Sequence, residues 1–211
     1  MIVILASLLH KQDRMKIKNY LLIGLIGTGF IFTQCSDDDV PPEENEEEVI
    51  NEVTLTFTPI GGGTPVIATW IDADGEGTAD PVLTEIDLAT ATSYSLAITF
   101  ENTLESPAED ITEEVEKEGE EHQIFFSWSD AAFGDPAGEG NIGASGTVNY
   151  DDEDNSGNPI GLETSWTTSA NPVSDQSFRI LLKHQPDIKT ATSTSNDGET
   201  DIDITWTLNV N

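Results

Sequence analysis

The chain has 211 residues and a formal net charge of −32 at neutral pH. Its acids are concentrated after residue 34, where 39 acidic residues stand against four basic ones. A domain this acidic repels phosphate backbones, so the composition argues against nucleic acid as a partner and favours cations. The length suits one domain with a hydrophobic core.

The first 34 residues have the features of a secretory signal peptide. Two lysines precede an apolar run over residues 20–32, which is too short to span a bilayer as a helix. We therefore predict a signal peptide over residues 1–34, whose true start is either Met1 or Met15.

The only cysteine of the chain, Cys35, follows this segment in the phrase FTQCSDDD. With no second cysteine, a disulfide within the chain is excluded. The pattern predicts that Cys35 becomes a lipidated residue, so that acyl chains anchor the protein in the outer membrane. The aspartates that follow predict export to the cell surface, and residues 35–51 as a whole predict an extended, charged linker.

Residues 52–211 are dominated by alternation of apolar and polar side chains, which is typical of half-buried strands. The clearest predicted strands are EVTLTFT (52–58), YSLAITFE (94–101), HQIFFSW (122–128), SFRILLKH (177–184) and DIDITWTLNV (201–210). Weaker candidates lie at 65–71, 82–88, 145–150 and 162–168. We predict an all-β domain, an immunoglobulin-like antiparallel β-sandwich of eight or nine strands.

One short acidic helix interrupts this pattern in the segment SPAEDITEEVEKEGEEH. Ser106 fits the N-cap and Pro107 the first helical position, and Glu109, three residues after the N-cap, completes a capping box. Gly119 supplies the stop signal. We expect this helix to lie across one end of the sandwich.

Two acidic turns could hold calcium, a cofactor that prefers clustered oxygen ligands. The candidate calcium ligands are Asp72, Asp74 and Asp80 in the first turn, and Asp152, Asp154, Ser156 and Glu163 in the second. The second turn fits the spacing of a calcium loop, whereas the first lacks the carboxylate at the twelfth position. Both turns lie between predicted strands, so ordinary hairpin turns are the simpler interpretation.

A second, different metal site is suggested by two histidines. His122 and His184 share parity with the apolar faces of their predicted strands, at the strand tips. With Glu120, Glu121 or Asp187 nearby, they could hold a transition metal. The alternative is a pair of core histidines with hydrogen bonds to the backbone.

The four tryptophans could include a platform for stacking sugars. Trp128 and Trp206 share parity with core residues, which favours packing, whereas Trp70 and Trp166 are less certain. No nucleophile elbow and no HExxH motif occurs, and the one thiol is assigned to lipid. We therefore predict no catalytic residues, although the abundant carboxylates leave a surface glycan hydrolase as an alternative.

Three long segments carry a resemblance: TFTPIGGGTPVIATWIDADGEG, LESPAEDITEEVEKEGEEHQIFF and LKHQPDIKTATSTSNDGETDIDITW. Together they resemble an uncharacterised family of small flavobacterial-type (Bacteroidota) surface lipoproteins. The resemblance implies an exported β-rich domain behind a lipidated cysteine and carries over no catalytic residue.

The expected function is therefore that of an outer-membrane-anchored, surface-exposed lipoprotein. We expect it to act as a non-enzymatic binding module with a cell-surface protein or glycan as partner. The alternatives are a calcium- or metal-binding surface protein and a surface glycan hydrolase.

Overall fold

A computed structural model of the chain describes residues 48–75 and 77–211, which belong to one compact unit. The predicted signal peptide, the predicted lipidation site at Cys35 and most of the linker lie outside the described residues. Within the described part, two sheets of mostly antiparallel strands form a sandwich-like arrangement with one short helix. The predicted all-β fold is confirmed.

The described residues form eleven strands and one helix. In chain order these are β1 (Glu52–Pro59), β2 (Val66–Ile71), β3 (Val82–Leu83), β4 (Ile86–Leu88), β5 (Ser93–Asn102), β6 (Glu109–Asp110), α1 (Ile111–Lys117), β7 (His122–Trp128), β8 (Phe133–Asp135), β9 (Glu163–Thr168), β10 (Val173–His184) and β11 (Glu199–Val210).

The larger sheet has seven strands in the order β3-β2-β1-β5-β9-β8, with β6 paired to β5 beside this path. The smaller sheet has the order β4-β11-β10-β7. All pairs are antiparallel except β4 with β11, which run parallel. The strands that bear on the site are β7 and β10, which are neighbours in the smaller sheet.

The core lies between the sheets and is built from the alternating residues of each strand. On β1, Val53, Leu55 and Phe57 are completely buried, while the threonines between them are half-buried. The same alternation runs along β5 and β11. Full burial of one such side chain contributes about 1.5–3 kcal/mol, so these faces fix the strand register.

Aromatic rings fill the centre of the core. Trp166 is 1% exposed, and its ring contacts Trp128, Phe133 and Phe178 at centroid distances of 4.9, 4.8 and 5.2 Å. Its indole nitrogen donates to Thr164 Oγ1 at 2.7 Å. Trp166 is therefore a core residue.

The weaker strand predictions have mixed outcomes. Residues 65–71 and 162–168 form β2 and β9, as expected. Residues 82–88 divide between the two sheets as β3 and β4, so one predicted strand becomes two. The expected strand at 145–150 is wrong: this segment contributes a single bridge, from Tyr150 to Thr164.

The predicted start of the helix is also wrong. The helix begins at Ile111, with Asp110 as N-cap accepting from the Thr112 amide at 3.0 Å. Glu109 and Asp110 instead pair with the end of β5, because this stretch extends the larger sheet before the chain turns. The helix buries an apolar face, since Ile111 and Val115 lie in the core.

No helix in the described part of the chain has both the length and the apolar character needed to cross a bilayer.

Candidate metal centre

The histidine pair is set by the register of β7 and β10. These antiparallel strands place His184 directly opposite His122, one step beyond the pair Lys183 and Gln123. The two imidazole rings stack with centroids 4.5 Å apart and planes 7° from parallel. His122 is 0% exposed and His184 is 3% exposed. Both rings are therefore buried and held together by the smaller sheet.

The hydrogen bond of His122 defines which ring nitrogen can receive a ligand. Its Nδ1 lies 3.2 Å from the backbone oxygen of Glu118. A carbonyl oxygen only accepts, so Nδ1 must carry the hydrogen, and the other nitrogen, Nε2, bears the lone pair of the neutral ring. This Nε2 is buried and has no hydrogen-bond partner.

The ring of His122 is neutral near pH 7. Its pKa is lowered to about 4, chiefly by burial and then by the neighbouring His184, while the hydrogen bond to Glu118 opposes the shift and Lys189 adds to it. A neutral imidazole with one nitrogen bonded to a backbone carbonyl is the state in which histidine ligates metals.

Carboxylates complete the surroundings of the pair. Glu118, the C-cap residue of α1, places a carboxylate oxygen near both rings: Glu118, His122 and His184 offer ligand atoms that all lie within 4.8 Å of one another. Glu121 Oε2 lies 3.3 Å from His184 Nε2. The sequence pattern indicated Glu121 but not Glu118. Glu118 is positioned by the turn at the end of α1, and a strand periodicity does not reveal such a residue.

The three carboxylates expected near the histidines, Glu120, Glu121 and Asp187, line a surface cavity of about 260 Å³ together with Lys189. Of these, Glu121 makes the contact with His184. Neither histidine lines this acidic cavity, which adjoins the pair through Glu121.

The second acidic turn is built around Asp154. Its Oδ1 accepts from the amides of Ser156 and Asn158, both at 2.8 Å, and its Oδ2 lies 3.0 Å from Lys189 Nζ. The two charged side chains are 1% and 0% exposed. Although burial acts to raise the pKa of Asp154, the hydrogen bonds from Asn158 and Lys189 outweigh it and hold that pKa below its usual value.

Asp152 holds the far side of the same turn. Its two carboxylate oxygens accept from the amides of Gly161 and Leu162, each at 2.8 Å. Gly161 has a φ of +100° and packs so close to Ile124 that a Cβ would lie 3.0 Å from that residue's own Cβ. Glu163 is exposed on β9. Protein donors thus already occupy the oxygens of Asp152 and Asp154, and calcium binding here stays a prediction.

The first acidic turn is open to solvent. Asp74 Oδ2 accepts from the amides of Thr78 and Ala79 at 2.9 and 3.2 Å, which is an ordinary turn contact, and Asp80 is exposed. Asp72 is half-buried, with one carboxylate oxygen that lacks a hydrogen-bond partner. Among the described His, Cys, Asp and Glu residues, neither acidic turn belongs to the group whose ligand atoms converge.

The tryptophans do not form an exposed platform in the described domain. Trp128, Trp166 and Trp206 are at most 3% exposed, and Trp70 is half-buried against the core. Core packing therefore accounts for these four residues, including the two whose role the sequence left open.

No protein-family model, curated protein or solved structure matches the chain.

Proposed function

We propose that this protein is a lipid-anchored, non-enzymatic binding module displayed on the outer membrane of a bacterium. Support for the anchor comes from Cys35, which follows a signal-like apolar run, and from the resemblance to small Bacteroidota surface lipoproteins. Support for the binding role comes from the contacts of the described domain.

One observation carries the binding role: the polar side chains of the two candidate sites are satisfied to different degrees. Asp152 and Asp154 hold backbone amides and Lys189, so they stabilise the fold. His122, by contrast, keeps a buried nitrogen unpaired beside His184 and Glu118. A buried polar atom without a partner lowers the stability of the fold by about 1–3 kcal/mol. A ligand that donates a hydrogen bond to the Nε2 lone pair, or a cation that binds to it, would remove this penalty.

The linker suits display above a membrane. The 15 residues from Ser36 to Ile50 reach at most about 50 Å when extended, and eight of them are glutamate or aspartate. Like charges keep such a segment solvated. A lipid on Cys35 would therefore hold the domain near the membrane while leaving it free to meet a cell-surface protein or glycan.

Fractionation of the native bacterium tests the anchor. We expect the wild-type protein to incorporate a fatty-acid label and to sediment with the outer membrane, and we expect Cys35→Ser to lose both properties. Thr33→Ser, which keeps the cysteine, is the matched control. Protease added to intact cells should digest the wild-type domain if it faces outward.

Two results would overturn the proposal. The proposed lipid anchor would be rejected if Cys35→Ser still sedimented with membranes and still carried the fatty-acid label. Robust hydrolysis of a cell-surface glycan by the purified protein, lost on changing one or two carboxylates, would make the module a surface hydrolase instead.

A further inference from the structure

We propose that Glu118, His122 and His184 form a binding site for a divalent transition-metal ion of the zinc type. This inference rests on the binding role proposed above, whose ligand class it names, and it is independent of the anchor at Cys35. The site joins the C-cap of α1 to the facing ends of β7 and β10.

The first argument is convergence. Two imidazoles and one carboxylate offer ligand atoms within 4.8 Å of one another. Nitrogen ligands of this type suit zinc, copper and nickel, whereas calcium and magnesium prefer an all-oxygen shell. Three protein ligands with an open fourth position also leave room for water or a bound group.

The second argument is independent of the first and concerns a single atom. His122 Nε2 is completely buried and unpaired, and its ring is oriented by the Nδ1 hydrogen bond to the Glu118 backbone. Bonding of the second ring nitrogen to a carbonyl is how proteins orient a ligating histidine. The Nε2 lone pair of His122 is therefore available to a metal ion that enters this buried position.

Glu121 fits the same scheme as an outer partner. Its carboxylate lies 3.3 Å from His184 Nε2, a contact that orients a ligating imidazole and leaves Nδ1 of that ring to bind the ion. Glu121 also lines the acidic surface cavity, whose carboxylates attract cations to the outer side of this contact. The positive charge of Lys189 opposes binding, but its Nζ is held by Asp154 and by the Gly119 carbonyl.

The geometry also specifies a movement. Two ligand atoms on one zinc ion lie at most about 4.2 Å apart, so ligand atoms that are spread over as much as 4.8 Å must draw closer together. Rings stacked 7° from parallel hold their in-plane lone pairs in two separate, nearly parallel planes, so one ion cannot lie in both planes. Binding must therefore tilt one imidazole ring relative to the other.

The experiment uses the purified full-length protein, prepared without a polyhistidine tag and stripped with EDTA. Titration calorimetry with zinc chloride should show saturable binding of a single ion per chain. His122→Gln and His184→Gln should each weaken binding by more than about 100-fold, and Glu121→Gln by about 10- to 100-fold. Cobalt in place of zinc should give the intense visible absorption of a tetrahedral site with nitrogen ligands.

Controls separate this site from general cation attraction by an acidic surface. The double variant Asp74→Asn, Asp80→Asn removes two exposed carboxylates and should bind zinc like the wild type. Because the glutamine variants change buried positions, thermal unfolding of every metal-free variant is measured, and His122→Phe is added as an apolar substitution at the same buried position. Zinc should raise the unfolding midpoint of the wild type and of the Asp74→Asn, Asp80→Asn variant by several degrees, and should leave that of the histidine variants unchanged.

Each contrary result is decisive. The proposed site would be overturned if the protein took up no zinc or bound many zinc ions. It would also be overturned if zinc uptake were unchanged in His122→Gln and His184→Gln. The histidines would then be core-packing residues. Stabilisation by calcium alone would overturn it as well and direct attention to the acidic turns. None of these outcomes bears on the fate of Cys35→Ser, so failure here is distinguishable from failure of the anchor.

Discussion

The two acidic turns have similar sequences and different structural roles. The first, residues 72–80, keeps Asp74 at the surface, where it accepts from two exposed amides. The second, residues 151–163, buries Asp154 against Lys189, which comes from the segment between β10 and β11. The second turn is buried because a lysine from another part of the sequence pairs with its aspartate. Among the described residues, the first turn has no such lysine beside Asp74 and stays at the surface.

This difference explains why the calcium-loop spacing alone is a weak predictor. Spacing specifies which oxygens could converge, but it does not specify which protein donors compete for them. In the second turn the backbone amides of Gly161 and Leu162 compete for Asp152, and Lys189 competes for Asp154. Substitutions in the two turns should therefore differ sharply in their effect on stability.

The largest effect is expected from Lys189→Met. Removing the lysine leaves the buried Asp154 charge without its partner, which should lower the free energy of unfolding by about 3–5 kcal/mol. Urea unfolding followed by tryptophan fluorescence measures this. The double variant Lys189→Met, Asp154→Asn should recover part of the loss, since it buries no unpaired charge. A single variant that unfolds like the wild type would show that the pair is not buried in solution.

An intermediate effect is expected from Asp152→Ala. It removes the acceptor for the amides of Gly161 and Leu162, and leaving buried donors unpaired should cost about 1–3 kcal/mol. Hydrogen exchange should quicken first at these two amides. Asp152→Asn, which retains one acceptor oxygen, is the control and should lose less; equal losses in both variants would argue against the amide bonds as the cause.

The smallest effect is expected from Asp74→Ala. Its hydrogen bonds are exposed and water can replace them, so the free energy of unfolding should change by no more than about 0.5 kcal/mol. The same urea titration provides the measurement. A loss comparable to that of Asp152→Ala would mean that the first turn is part of the cooperative fold after all.

Strands with clean alternation could be predicted from the sequence, because one face of each is buried and the period of two shows it directly. The pattern on 201–210 corresponds to β11, whose isoleucines and tryptophan face the core. Short edge pairings could not be predicted this way. Strand β6 has two residues, too few for any period, and it moves the start of the helix from the expected Pro107 to Ile111.

The candidate site was predictable only in part, for a related reason. Parity placed His122 and His184 at the core boundary, and the register of β7 with β10 brings them face to face. Glu118 and Lys189 were missed because turns and an irregular segment position them, and such segments have no periodicity to read.

The placement of β11 has a consequence for the timing of folding. This strand is made last among the described strands, yet it lies inside its sheet, between β10 and the much earlier β4, where Leu208 meets Ile86. The smaller sheet therefore cannot close until residues 199–210 have left the ribosome, and pairings of such long range form slowly. Until β11 emerges, β4 and β10 have no strand between them, so the smaller sheet of a nascent chain stays incomplete.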